Sequence, residues 1–100
     1  MDLEVIRIKI HTILELKKII GQRQVEIPMP EESTVESLLS SMVKTWGEKL
    51  SSYLFNKGST SPIPHIRIMV NGQDIGFLNG METALQDGDE VMILPLVAGG

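Results

Sequence analysis

Few residues of this 100-residue chain could do chemistry, and most of those read as structural. Cysteine is absent, which removes disulfides, thiolate metal sites, thiol nucleophiles and redox pairs together. His11 and His65 have no Asp or Glu at metal-ligand spacing, and no Ser-His-Asp set is singled out, so each reads as a strand-end residue. Asp87-Gly88-Asp89-Glu90 lacks the long ligand ladder of a calcium loop and reads as a tight turn capped by Asp87. Glu31-Glu32 precede a helix and favour its positive end. No catalytic residue, metal site or intrinsic cofactor is expected.

The last residues suggest a different chemistry. Ala98-Gly99-Gly100 follows directly on an apolar strand, which would place a carboxylate on a tether of a few residues. Glycine has no Cβ, so it enters a narrow channel that larger side chains would block. A thin arm on a rigid body suits the delivery of a carboxyl group into another protein's active site.

The body must position that arm. Ile6, Ile8 and Ile10 alternate with Val5, Arg7 and Lys9, the period of a strand with one buried face. Ile13, Leu16, Ile19 and Ile20 fall at helical spacing, with Gly21 as a C-cap. Gln22 to Ile27 reads as a brief strand ended by Pro28 and Pro30. Val35, Leu38, Leu39, Met42, Val43 and Trp46 form the stripe of a helix lying on a core. Ser33 and Glu36 have capping-box spacing, with Thr34 as the alternative cap.

Gly47 ends or kinks that helix, Leu50 to Phe55 suggests a further helical turn, and Asn56 to Pro64 is a loop. Residues 65–70 form a strand that runs into Asn71-Gly72, a type I′ hairpin signal. Phe77 and Leu78 are expected to tuck inward, and Glu90 to Val97 is the last strand. The class is α+β: a mixed sheet with helices on one face and its first and last strands side by side. Residues 1–97 form the domain and residues 98–100 the tail.

Composition narrows the partners. A hydrophobic fraction of 42% and a charged fraction of 22% suit one globular domain. The net charge of −4 disfavours nucleic acid. Residues 68–100 hold five acids and no Lys or Arg, which would suit a basic partner surface or simply a solvated turn region. With no apolar run long enough for a spanning helix and no signal-peptide pattern, the expected location is cytoplasmic, away from membranes.

Several segments together resemble one family. They are Ile13-Leu14-Glu15-Leu16, Ser33 to Leu39, Asn71-Gly72, Asp87-Gly88-Asp89-Glu90-Val91, and Pro95-Leu96-Val97-Ala98-Gly99-Gly100. In this order they resemble the MoaD/ThiS family over essentially the whole chain. The Pro-x-x-Ala-Gly-Gly ending is more similar to the small subunit of molybdopterin synthase than to the thiazole carrier.

The resemblance implies a β-grasp (ubiquitin-like) fold and a sulfur carrier that is not itself an enzyme. An E1-like partner would use ATP to adenylate the carboxylate of Gly100, and a sulfur donor would convert it to a thiocarboxylate. The large subunit of molybdopterin synthase, or another sulfur-accepting synthase, would then receive the sulfur. Cysteine or thiazole synthesis and attachment to lysines as a modifier are the alternatives. The last strand is apolar on both faces, Val91, Ile93 and Val97 alternating with Met92, Leu94 and Leu96, so the face without helices is expected to be a partner-binding apolar patch unless the loop at Asn56 to Pro64 folds over it. The family's pattern assigns Leu94 to that open face, with Ile13 nearby and Ala98 and Gly99 as the tail.

Overall fold

The computed structural model describes residues 5–55 and 66–95. Its elements are β1 (Val5–His11), α1 (Leu14–Ile20), β2 (Gln24–Pro30), α2 (Val35–Trp46), α3 (Glu48–Leu54), β3 (Ile66–Val70), β4 (Gln73–Asp74) and β5 (Glu90–Pro95). Two 3-10 turns, Ile75–Phe77 and Gly80–Glu82, lie between β4 and β5. The split between domain and tail falls outside the described residues, as does the loop before β3.

Alternation in β1 sets the layers. Ile6, Ile8 and Ile10 point to the core, whereas Val5 and Arg7 are exposed. The five-stranded sheet has the order β2-β1-β5-β3-β4, so β5 is central. It runs parallel to β1, pairing Lys9 with Glu90 and His11 with Met92, and antiparallel to β3, pairing Arg67 with Leu94. The expected adjacency of the first and last strands is therefore present. A parallel pair needs a long crossover, and everything from α1 to β4 supplies it.

The helices cover one face. Val35, Leu38, Leu39 and Met42 of α2 are completely buried, together with Leu16 of α1, Leu50 and Leu54 of α3, and Val91 and Ile93 of β5. The N-cap of α2 is Thr34. Ser37 N–H donates to Thr34 Oγ1 at 3.3 Å, and Thr34 N–H donates to Ser37 Oγ at 2.8 Å. Ser33, the other possible cap, instead donates its hydroxyl to Pro30 O at 2.6 Å, and Glu36 takes no part in the box. Gly47 ends α2 and begins α3 at φ 77°, ψ −155°, a conformation that side chains resist.

Two expectations need correction. The second strand does not stop at Pro28; it runs through both prolines to Pro30. The reason lies in register. Arg7 directs its N–H and C=O away from β2, to Asp87 Oδ1 and Gly88 N–H, so its neighbour Pro28 faces its own missing N–H outward. Pro30, two residues on, has the same orientation. On an edge strand these positions cost no ladder bond.

Phe77 and Leu78 do not tuck inward either: Phe77 is 88% exposed and Leu78 is exposed. Asp74 Oδ1 accepts from Gly76 N–H at 2.7 Å and winds the 3-10 turn so that Ile75, not Phe77, packs on the core.

Candidate functional site: the open sheet face and the end of the last strand

The acidic turn before β5 is the anchor of the site. Asp87 Oδ1 accepts from Arg7 N–H and Asp89 Oδ2 from Gln86 N–H, each at 2.8 Å. Asp89 Oδ1 also accepts from Asn71 Nδ2 at 2.9 Å, and Asn71 Oδ1 accepts from Glu90 N–H at 2.9 Å. Asn71 and Gly72 hold φ 51° and 84°, both positive, as a type I′ hairpin requires. The turn, the hairpin and β1 are thus laced into one rigid frame at the start of the central strand. These carboxylates bind backbone and amide donors, and no cluster of three metal-ligating side chains exists among the described residues.

At the other end of β5 the chain leads towards residues 96–100. Leu96, Ala98, Gly99 and Gly100 lie outside the described residues. Of the remaining expected residues, Met92 and Leu94 share one face of β5, and Ile13 lines a groove with Met92. Met92 is 38% exposed on the uncovered face and Leu94 is half-buried there, whereas Val91 and Ile93 point into the core. Ile13 is 39% exposed just beyond β1, on a groove that Met92 also lines.

His11 is a strand-end residue with a specific partner. Its Nε2–H donates to Glu90 Oε1 at 2.8 Å and ties the two central strands together on the open face. His65 lies outside the described residues.

Further residues join this face. Met69 stands opposite Met92 and extends the patch onto β3. Leu14 is 61% exposed and holds φ 53°. Its signal in the sequence was an apolar residue off the stripe of Ile13, Leu16, Ile19 and Ile20. A groove of about 560 Å³ collects Ile13, Leu14, Met92, His11, Lys17 and Arg23 at this end of the sheet.

On the helical side, Tyr53 lies in a second groove between α1 and α3 with Glu15 and Lys18. Burial pushes its phenol above the usual range, and the Glu15 carboxylate adds to the rise.

A mixed sheet with helices on one face, a parallel pair of first and last strands and an open apolar face define a ubiquitin-like β-grasp protein. The match to known sequences is specific: the chain belongs to the ThiS family, whose model matches residues 13–100. It is 33% identical to small archaeal modifier protein 3 of Haloferax volcanii over 84% of this chain and 88% of that one. It is 40% identical to a candidate sulfur carrier protein of Archaeoglobus fulgidus over 81% of this chain and 89% of that one. Among solved structures, small archaeal modifier protein 1 of Methanosarcina acetivorans superposes with a TM-score of 0.76 at 29% identity, covering 97% of this chain and 99% of that one.

The protein is therefore of the sulfur-carrier and ubiquitin-like modifier kind. No described helix is long and apolar enough to cross a membrane.

Proposed function

We propose that this protein carries sulfur as a thiocarboxylate on Gly100 and delivers it as the small subunit of molybdopterin synthase. The observation that carries the reading is the family match running through to Gly100, on a chain whose central strand β5 leads into that segment. The Pro95-x-x-Ala98-Gly99-Gly100 ending supports this acceptor. An E1-like partner supplies ATP. A Gly100 carboxylate oxygen attacks the α-phosphorus and pyrophosphate leaves; hydrosulfide-level sulfur from a donor then attacks the acyl carbon, a C–S bond forms, and AMP departs with the electron pair of the C–O bond. The thiocarboxylate sulfur then displaces a leaving group on the acceptor to form a thioester, and water attacks the acyl carbon, which leaves the sulfur on the acceptor as a thiolate and restores the Gly100 carboxylate. The partner docks on the open face at Ile13, Met92, Leu94 and Leu96, and Ala98-Gly99 threads the channel.

A second reading is favoured by the likeness to small archaeal modifier protein 3: the activated Gly100 is joined to a lysine instead. Intact-mass measurement of protein drawn from its native cells separates the two. The carrier cycles between carboxylate and thiocarboxylate masses and copurifies noncovalently with a large synthase subunit. Lysine-linked conjugates that survive denaturation, with no thiocarboxylate, would establish the modifier instead. Copurification with a cysteine or thiazole synthase would keep the carrier and change its acceptor. Deleting Gly100, or replacing Gly99 with Val, abolishes the exchange without unfolding the domain.

A further inference from the structure

Resting on the docking face proposed above, we infer that the groove at its edge receives an acidic, apolar-anchored segment of a partner protein, selected by Lys17 and Arg23. Three exposed apolar side chains, Ile13, Leu14 and Met92, line the groove together with Lys17 of α1, Arg23 before β2 and His11. The nearby carboxylates are already engaged. Glu15 pairs with Lys18 at 3.3 Å, Glu90 with His11 at 2.8 Å and Glu26 with Arg7 at 3.6 Å. Neither Lys17 nor Arg23 has a carboxylate within ion-pair distance among the described residues. In a chain of net charge −4, this end therefore offers, among the described residues, two cations without an ion-pair partner beside bare apolar surface.

Leu14 is held out at the rim of this groove. It holds the left-handed conformation that branched side chains seldom adopt, and it gains little burial by doing so. The backbone presents an apolar side chain to solvent at the rim of the cationic groove. Phosphate chains would also meet Lys17 and Arg23, but the acidic remainder of the protein repels them and the apolar lining gives them nothing. Aspartates or glutamates around a Leu or Phe satisfy both halves of the groove. Charges at such a rim choose between partners more than they add raw affinity.

The test uses the full chain, ¹⁵N-labelled, titrated with three fluorescent peptides that share a central Leu-Phe pair and carry acidic, neutral or basic flanks. A single-stranded oligonucleotide is the fourth ligand. The acidic peptide is expected to bind best, to lose affinity with added salt, and to shift the amides of His11 to Lys17, Arg23 and Met92. Lys17→Glu combined with Arg23→Glu weakens it about tenfold. Leu14→Gly, which relaxes the backbone, also weakens it while the melting temperature holds or rises. Lys44→Glu on α2 leaves binding unchanged.

Equal binding of acidic and basic peptides, shifts elsewhere on the surface, or preference for the oligonucleotide would overturn the inference. Thiocarboxylate exchange at Gly100, measured in parallel, keeps the two proposals apart. Exchange without acidic-peptide binding defeats only the groove, and acidic-peptide binding without exchange defeats only the carrier reading.

Discussion

Tyr53 is the single tyrosine, so its ionisation is read directly from ultraviolet absorbance. Burial first, and the Glu15 carboxylate second, raise its phenol above the ordinary value near 10. The native state then holds the proton to higher pH than the unfolded chain. Its contribution to stability is complete below about pH 10 and declines as pH rises through the native value. A titration near 295 nm is expected to show a midpoint above 10 in native protein and one near 10 in urea. Glu15→Gln lowers the native midpoint by the smaller share. Coincident native and denatured curves would mean that the α1–α3 groove does not enclose the ring. Neither burial nor Glu15 was legible around this residue, because residues 15 and 53 meet only when α1 packs on α3.

Among the elements, β2 shows how an exposed edge is kept from pairing with other chains. The register turns the outward backbone of β2 to Gln24, Glu26, Pro28 and Pro30, and two of these four positions lack an N–H. A strand added to this edge would lose ladder bonds at both prolines. Replacing Pro28 and Pro30 with Val restores two donors and raises β-propensity. The double variant is expected to self-associate at high concentration, seen as a rise in mass by light scattering after size exclusion. A strictly monomeric variant would place the protection elsewhere. Pro28 would terminate a central strand; only its edge position makes it compatible with pairing.

For the whole molecule, the decisive contrast lies between the two faces of one strand. Val91 and Ile93 are completely buried, whereas Leu94 stands half-buried on the open face opposite Arg67. Leu94→Asp is expected to cost under about 1 kcal/mol, since the new carboxylate has water and Arg67 beside it. It should nevertheless weaken copurification of the proposed synthase or activating partner. Leu38→Ala, in a residue with no exposure, is expected to cost about 2–5 kcal/mol and to lower the melting temperature by roughly 10 °C or more. Thermal melts with pull-downs check both. A large loss of melting temperature in Leu94→Asp with partner binding intact would move Leu94 into the core.

What the sequence determined by itself is what short-range periodicity carries. The alternation of Ile6, Ile8 and Ile10, the stripe from Val35 to Trp46 and the Asn71-Gly72 turn each involve neighbours within a few residues, so spacing alone specifies them. Motifs such as Asp87-Gly88-Asp89-Glu90-Val91 and the Ala98-Gly99-Gly100 ending added the family. Tertiary structure decided what depends on contacts across the chain. Asp87 reached back across the chain to Arg7 N–H and fixed its turn against β1. Between local patterns of similar strength the fold made the choice: Ile75 packed on the core and left Phe77 outside, and Ser33 bonded Pro30 O and left Thr34 as the cap. The cationic groove belongs to this second group. Residues 11, 17, 23 and 92 share no local pattern, and only the parallel pairing of β1 with β5 brings His11 beside Met92, with α1 returning over that end of the sheet.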